Sequence, residues 1–315
     1  MTIRRERLLR QEFVLQLRAL NFELVNSQCG LTLCLRAAFV DIDIHTCRCV
    51  YYWLGVQGRI AEKMVPTRLS IITCNIWLTE RWPARAPALE RFLTLFTPDV
   101  LCLQELQRPT QEFVDRVLSG CARVHDPFPG WTNESNIYWS EAVLEKIEHG
   151  ADEVGHVEPE RRMFWARLRL KSSQKTIFVA TAHLTSPRHS DEIETGLSPR
   201  VRQLKRIAEE LTRRVREGEP AFFMGDMNDA WHPQRILMQA GFMSCFAALG
   251  MQSPPTFKCY PTANVQLGEQ TITEAIDLIV ANKYVRAIAA SVPQCYAGDI
   301  APSDHWPVQA IYQLV

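Results

Sequence analysis

Short, mostly apolar runs alternate with amphipathic stretches along the chain from residue 64 onward. Six of these runs have the length and the flanking polar residues of buried strands: 69–73, 100–103, 176–180, 221–224, 276–280 and 308–312. Apolar residues recur at helical spacing in 84–96 and 202–218, and Gly218 is the predicted stop of the second helix. Strands that alternate with helices predict an α/β fold.

The first 63 residues have a different character. They contain no proline, three glycines and four of the ten cysteines. The stretch 11–24 is compatible with a helix, and 31–56 is apolar with β-branched and aromatic residues. Three interpretations stay open: a small extra domain, an extension packed on the core, or a start wrongly assigned upstream of Met64. We place the domain boundary between residues 63 and 64.

Composition narrows the class of protein. The chain has 315 residues, of which 47% are hydrophobic, so a disordered or fibrous protein is excluded. No apolar stretch approaches the roughly 18 residues that cross a bilayer, so no membrane span is expected. Lys plus Arg and Asp plus Glu each total 35, which argues against a polybasic binder of nucleic acid. Any phosphate chemistry should therefore depend on a local site, with a metal.

Cysteine usage and the N-terminus bear on the compartment. The ten cysteines include no CxxC pair, and Cys74 and Cys102 lie inside apolar runs. This usage is typical of reduced core thiols in an intracellular protein, nuclear or cytoplasmic. Glu6 and Glu12 interrupt the N-terminal arginines, which argues against a secretory signal and leaves an organelle-targeting peptide as a weaker alternative.

A polar residue able to bind a cation or a phosphate stands near one end of each predicted strand. These residues are Asn75, Glu105, His183, Asp226, Asp277 and His305, with Asn228 and Asp304 close to two of them. Buried charges are unfavourable unless they are paired or bind a metal. Six such strand ends therefore predict one common site at an edge of the sheet core.

The acids and amides of this set suit phosphodiester chemistry. Carboxylate and amide oxygens are the ligands that Mg²⁺ prefers, which makes Glu105 a natural metal ligand. Asp226 is suited to orient or deprotonate a water molecule. Asn228 faces the same side of an extended segment as Asp226, so its amide can donate to a phosphoryl oxygen.

The two histidines complete this chemistry. His183 and His305 are suited to bind the phosphate or to stabilise charge in the transition state. Asp277 is suited to hold a histidine in the required tautomer. Because no cysteine is needed, covalent catalysis is not implied.

The order of these motifs resembles the endonuclease/exonuclease/phosphatase superfamily, the group that contains deoxyribonuclease I. The motifs are Asn75, LQE at 103–105, His183, GDMN at 225–228, Asp277 and SDH at 303–305. The resemblance covers about residues 65–315, so that 64–315 would be the catalytic domain. It implies a four-layer α/β sandwich, two mixed β-sheets flanked by helices, with the metal site where the sheets meet.

The resemblance also implies a role for each residue. Metal-binding positions are matched by Glu105, Asn75 and Asp304, and the cation would be Mg²⁺, with Mn²⁺ as the alternative. Asp226 matches the aspartate that activates water. Phosphate-contacting positions are matched by Asn75, Asn228, His183 and His305, with Asp277 as the orienting partner of His305. The family also favours a monomer.

The sequences of the individual motifs most resemble the 5′-tyrosyl-DNA phosphodiesterase branch. The resemblance lies in HLTS at 183–186 and in Pro302 before SDHW. The segments CNIW at 74–77 and GDMND at 225–229 depart from that branch. The predicted function is Mg²⁺-dependent hydrolysis of a phosphodiester at DNA or RNA ends. The alternatives are a phospholipid or inositol-phosphate hydrolase of the same fold and a non-catalytic scaffold.

Two further patterns bear on nucleic-acid binding. Residues 161–167 interleave basic and aromatic side chains, which predicts either nucleic-acid contacts or a strand with one polar face. Trp131, Trp139 and Trp231 flank candidate site loops and are predicted to pack in the core or at its rim.

Overall fold

The computed structural model describes residues 67–258 and 274–315, together with the backbone of two strands near the N-terminus. The chain divides into two units, Met1–Met64 and Val65–Val315. In the first unit, β1 (Phe22–Ser27) and β2 (Gly30–Leu35) pair antiparallel. The last three residues of the predicted helix at 11–24 belong to β1, so that prediction is wrong there, because pairing with a neighbouring strand overrides a weak local preference. The rest of that stretch lies outside the described residues.

The second unit contains two six-stranded sheets. The first sheet has the order β13-β14-β3-β4-β6-β5 and consists of β3 (Arg68–Asn75), β4 (Val100–Gln104), β5 (Cys121–Arg123), β6 (Ser135–Ser140), β13 (Val285–Ser291) and β14 (Val308–Leu314). The second has the order β11-β12-β10-β9-β8-β7 and consists of β7 (Leu144–Asp152), β8 (Met163–Leu170), β9 (Thr176–His183), β10 (Ala221–Asp226), β11 (Met243–Ser244) and β12 (Asp277–Ala281). All six predicted strands are confirmed.

Helices cover the outer face of each sheet. The described helices are α1 (Ala86–Phe96), α2 (Arg108–Val117), α3 (Gly130–Asn133), α4 (Ser190–Thr195), α5 (Arg200–Arg214), α6 (His232–Gln239) and α7 (Cys245–Ala248). Apolar side chains of α1 and α2 pack on the first sheet, and those of α5 and α6 pack on the second. A third apolar cluster lies between the sheets. The predicted four-layer α/β sandwich is confirmed, and its central strands read as apolar runs because both of their faces are buried.

Helix α5 ends earlier than its sequence pattern predicts. Its last residue is Arg214, four positions before Gly218, and Val215 already has an extended backbone with ψ of 127°. The Arg216 amide donates to the carboxylate of Glu219 at 3.1 Å, and the same carboxylate binds the buried Arg167 of β8. The chain therefore leaves the helix so that Glu219 can neutralise a guanidinium inside the protein.

Each sheet contains one parallel pair of strands, and this pairing brings the site residues together. In the first sheet β3 lies parallel to β4, with Asn75 opposite Gln104. In the second sheet β9 lies parallel to β10, with His183 opposite Asp226, and Asp277 of the antiparallel β12 faces Asp226 from the other side. Because parallel strands end at the same edge, their terminal polar residues become neighbours.

Gly225 makes the closest approach between β9 and β10. Its φ is +140°, a conformation that side-chain-bearing residues rarely adopt. A Cβ atom at this position would collide with the carbonyl oxygen of Ala182 in β9. The glycine of the GDMN motif is thus required by backbone geometry, and it sets how near Asp226 lies to His183.

We predict that Gly225→Ala lowers the free energy of unfolding by about 1–3 kcal/mol, because the new methyl group must push β9 and β10 apart. Urea unfolding monitored by circular dichroism measures this loss. Two glycines with open space around them are controls: Gly241, with a φ of +85°, reports backbone strain alone, and Gly120 reports neither effect. If Gly225→Ala costs no more than Gly241→Ala, the collision with Ala182 is not limiting.

Candidate active site

Asn75, Glu105 and Asp226 meet where the two sheets converge. The Asn75 amide nitrogen donates to Glu105 Oε1 at 3.1 Å and to Asp226 Oδ2 at 3.0 Å. Its amide oxygen accepts the backbone N–H of Trp77 at 2.9 Å, which fixes the orientation of the amide. Asn75 therefore joins a carboxylate of the first sheet to one of the second.

Gln104, which was not among the predicted site residues, holds the sheets together just behind the site. It is fully buried, and its amide nitrogen donates to the Thr181 hydroxyl at 2.9 Å across the sheet interface and to the Thr73 hydroxyl at 3.1 Å. The next residue, Glu105, turns out of the strand with a φ of +54°. Its side chain is 21% exposed, so its carboxylate reaches both the site and solvent.

Two histidine–carboxylate pairs flank Asp226. His305 Nδ1 lies 2.8 Å from Asp277 Oδ2, and His183 Nδ1 lies 2.8 Å from Glu134 Oε1. The Nε2 atoms of the two histidines lie 3.7 Å and 3.5 Å from Asp226 Oδ2. The predicted pairing of Asp277 with His305 is present, and the buried Asp226 carboxylate is enclosed by the two imidazoles.

Glu134 is a site residue that sequence reasoning missed. It stands immediately before β6, in the same kind of position as the other polar strand-end residues. The signal was weak because β6 begins with the buried polar residues Ser135 and Asn136, so its sequence, SNIYWS, does not read as an apolar run.

The charges of these pairs follow from their surroundings. Burial lowers the pKa of His305, but the carboxylates of Asp277 and Asp226 outweigh it and raise that pKa to about 10. Burial and Arg161 lower the pKa of His183, whereas the carboxylates of Glu134 and Asp226 raise it. The net shift of this pKa is upward. Burial raises the pKa of Glu134, but His183 and Arg161 bring it down to about 2. His305 therefore holds its proton near neutral pH, and the carboxylates around His183 favour its protonated form.

Arg161 holds the His183 side of the site. Its guanidinium lies 3.3 Å from Glu134 Oε2 and donates to the carbonyl oxygen of Leu184 at 3.0 Å. The Asn228 amide nitrogen also donates to that carbonyl, at 2.9 Å, and the Asn228 backbone N–H donates to Asp226 Oδ1 at 2.8 Å. Asn228 thus ties the end of β10 to the loop that follows His183.

The basic and aromatic segment at 161–167 does not form a nucleic-acid surface. Phe164 and Trp165 are buried in β8, and Arg167 is buried against Glu219. The strand interpretation is confirmed, but the interpretation that these rings stack on bases is wrong, and β8 has no fully polar face because both of its faces are covered. Trp131 and Trp139 are core residues as predicted, whereas Trp231 is 83% exposed and does not pack.

Asp304, which is partly exposed, adds a third acid to the site beside Glu105 and Asp226. Burial raises the pKa of its carboxyl to about 6; His305 acts against this shift, and Glu105 and Asp226 add to it. The mutual repulsion of these three carboxylates shows that the site concentrates negative charge. A cluster of hard oxygen donors with this charge suits a divalent cation such as Mg²⁺.

The donor set favours some of the predicted metal ligands over others. Glu105 and Asp304 offer carboxylate oxygens to a cation. Asn75 directs its amide nitrogen toward the carboxylates, so its amide oxygen does not point to the same place as a metal ligand. Ligand atoms of Asp226, Asp277 and His305 also lie within 4.8 Å of one another. Since His305 Nδ1 is already hydrogen-bonded to Asp277 Oδ2, these residues fit a proton-holding arrangement at least as well as a metal centre.

The sequence profile of the Endonuclease/Exonuclease/phosphatase family matches residues 72–305. The chain belongs to this family, whose members are phosphoric ester hydrolases. No curated protein matches the chain. Within the part of the chain that the structure describes, no helix has the length and apolar character needed to cross a membrane.

Several solved structures share the fold. A humanized TDP2 of D. rerio is 19% identical, with 78% of this chain and 99% of that chain covered and a TM-score of 0.64. The catalytic domain of human Nocturnin with a bound sulfate is 17% identical, with 79% and 94% covered and a TM-score of 0.61. A mannosyl-6-phosphatase of Bacteroides thetaiotaomicron is 15% identical, with 78% and 99% covered and a TM-score of 0.62.

We predict that Asp277→Asn lowers the pKa of His305 and destabilises the protein by roughly 3–5 kcal/mol at pH 7, because a buried charge loses its partner. His305 binds its proton more tightly when folded, so its contribution to stability is complete below pH 6.5 and is lost as the pH rises toward 10. In the variant this pH dependence should largely disappear. NMR titration of the metal-free protein and urea unfolding across this range measure both effects.

A surface pair provides the control for this prediction. His149 Nε2 lies 3.1 Å from Asp126 Oδ2, and both side chains are partly exposed. Asp126→Asn should change the free energy of unfolding by less than about 1 kcal/mol, as is usual for pairs in contact with water. Equal losses in the two variants would contradict the importance assigned to Asp277.

Proposed function

We propose that this chain is a divalent-cation-dependent phosphodiesterase that hydrolyses a phosphodiester at DNA or RNA ends. The observation that carries the proposal is the position of the Asp226 carboxylate, buried between two histidine–carboxylate pairs and beside the partly exposed carboxylates of Glu105 and Asp304. The proposal rests on the arrangement of these side chains and on the resemblance of their motifs, since the solved structures compared with this chain share its fold at low identity.

The chain's own groups divide into a base and charge-stabilising donors. Asp226 accepts the proton of the attacking water, and its orientation is set by the Asn75 amide and the Asn228 backbone N–H. The Nε2 groups of His305 and His183, when protonated, donate to the phosphoryl oxygens as negative charge develops. The second hydrogen of the Asn228 amide is available for the same purpose.

The metal would be held by Glu105 and Asp304, with Mg²⁺ or Mn²⁺ as the fitting cation. Such a cation supplies polarisation of a phosphoryl oxygen and offsets the charge of the carboxylates when it is bound. Asn75 acts at this position by orienting Glu105 and Asp226.

The rim of the site favours a nucleic-acid end over a small phosphate ester. Trp231 lies three residues after Asn228 with 83% of its surface exposed, and an indole exposed to this extent is suited to stack on a base. Arg188 and Arg202 are exposed on the segment that follows His183 and can contact phosphates. D. rerio TDP2, which has the same fold, has been crystallised with a single strand DNA product.

The cysteines and the family bear on the location and the oligomeric state. The described cysteines Cys74, Cys102, Cys121, Cys245 and Cys295 are free thiols, which supports a nuclear or cytoplasmic location, and we expect a monomer. A phospholipid substrate would need an apolar contact element. The candidate in the sequence is the apolar stretch 30–56, which lies outside the described residues except for the backbone of β2.

We predict that Asp226→Asn lowers kcat at least about 100-fold, because the general base is lost while the shape of the side chain is kept. The assay is Mg²⁺-dependent hydrolysis of 5′-phosphotyrosyl single-stranded DNA, with abasic duplex, poly(A), sphingomyelin and a sugar phosphate in parallel. Asp191→Asn, at an exposed acid of α4, is the matched control and should retain full activity. Unchanged hydrolysis by Asp226→Asn would remove Asp226 as the base, and activity on lipid or sugar phosphate alone would overturn the substrate class.

We predict that Trp231→Ala raises KM for single-stranded DNA about tenfold, the effect of losing one stacked base. Hydrolysis of the same strand built with abasic nucleotides, which has no base to stack, should be unchanged. Met238→Ala, at another exposed apolar residue of the same region, is the control. A similar rise in KM for both substrates would show that Trp231 acts on the site itself and not on a base.

A further inference from the structure

Arg85 lies at the start of α1 with its side chain completely buried. Its guanidinium donates to the carbonyl oxygens of Ile76 at 2.9 Å, Trp77 at 3.0 Å, Leu78 at 3.5 Å, Glu80 at 2.6 Å and Pro302. Five main-chain carbonyls from two separate loops therefore converge on one charged group. Among donors, only the planar fork of an arginine offers this many N–H groups in fixed directions.

The first of these loops has a strained backbone. Trp77 and Leu78 have φ values of +57° and +46°, in the left-handed region that residues other than glycine avoid. Each such residue destabilises the folded state by on the order of 1 kcal/mol, and it persists only where the surrounding structure holds it. Arg85 supplies that support, because relaxing the loop would withdraw carbonyls from a buried cation.

The N–H groups of the same strained residues act on the candidate active site. The Trp77 N–H donates to Asn75 Oδ1 at 2.9 Å, which turns the Asn75 amide nitrogen toward Glu105 and Asp226. The Leu78 N–H donates to the Glu105 carbonyl oxygen at 3.0 Å and holds the turn that carries the Glu105 side chain. The conformation that Arg85 maintains is thus the one that orients these two residues.

The second loop leads directly to the other side of the site. Pro302, whose carbonyl oxygen Arg85 binds, precedes the segment Ser303-Asp304-His305. Within that segment the His305 N–H donates to the Ser303 hydroxyl at 3.2 Å, so the loop has little freedom between Pro302 and His305. A shift of Pro302 relative to Trp77 would change the separation between Asp304 and Glu105.

We propose that Arg85 is a positioning residue that sets the spacing between the Asn75–Glu105 side and the Asp304–His305 side of the site. It touches no reacting atom. It acts by binding main-chain carbonyls of both loops, so its loss should affect cation binding and turnover more than the affinity for substrate. The activity arm of the test rests on the proposed function, whereas the structural and metal-binding arms do not.

The experiment compares Arg85→Lys and Arg85→Met with the same substitutions at Arg91, which donates to the Tyr296 carbonyl from the exposed side of α1. Hydrogen–deuterium exchange by mass spectrometry should rise at 75–80 and 302–306 in both Arg85 variants and stay unchanged in the sheets. Mn²⁺ affinity, measured by electron paramagnetic resonance, should fall about tenfold. With bis(p-nitrophenyl) phosphate, kcat should fall about 100-fold in Arg85→Met, the effect of a misplacement of about 1 Å, with KM little changed.

The lysine variant keeps the proposal falsifiable if the methionine variant does not fold. Lysine keeps the charge but cannot reach five carbonyls, so Arg85→Lys should fold and still show the local exchange and the weaker Mn²⁺ binding. If a folded Arg85→Lys binds Mn²⁺ and exchanges at both loops as the unmodified protein does, the proposal is overturned. If exchange rises throughout the protein, Arg85 is a general stability residue and the proposal is equally overturned. If the unmodified protein hydrolyses no phosphodiester, the proposed function fails, and the exchange and Mn²⁺ measurements still decide the role of Arg85.

Discussion

The burial of the Asp226 carboxylate is the constraint on which the rest of the site depends. This group is 1% exposed where the two sheets meet, and an unpaired charge there would strongly destabilise the fold. Asn75, His183 and His305 supply the compensating donors. Those donors are held in turn, since Glu134 and Asp277 bind the outer nitrogens of the two histidines. The contacts that stabilise the buried carboxylate are therefore also the ones that fix its orientation.

The topology brings these residues together because each sheet contributes one parallel pair of strands that ends at the site. The pair β3 and β4 delivers Asn75 and Glu105, and the pair β9 and β10 delivers His183 and Asp226. Close packing of the second pair depends on the absence of a side chain at Gly225. Gln104 then fixes one sheet to the other through Thr181, so the positions of the four delivered residues are not independent of one another.

The sequence predicts site residues well where a buried apolar strand is followed directly by a polar residue. Strands covered on both faces read as apolar runs, and a charged residue directly after such a run stands out, as Glu105 and Asp226 do. It fails where the decisive partner is remote. From the sequence Arg167 is expected on the surface, because Glu219, the carboxylate that neutralises it inside the protein, lies 52 positions later in the chain. Arg85 gives no signal of its own, because it acts through carbonyl oxygens that every residue possesses.

The zero net charge of the chain hides a local imbalance. The imidazole groups of His183 and His305 are each paired with a carboxylate of their own, Glu134 and Asp277, which leaves Glu105, Asp226 and Asp304 in excess. A phosphodiester is itself an anion, and it would be repelled by this excess unless a cation offset it. Binding of the cation and of the phosphate should therefore strengthen each other to the same degree, because coupling between two ligands is reciprocal. A site of the proposed kind would hold a single phosphodiester through local charge and would not require a basic protein.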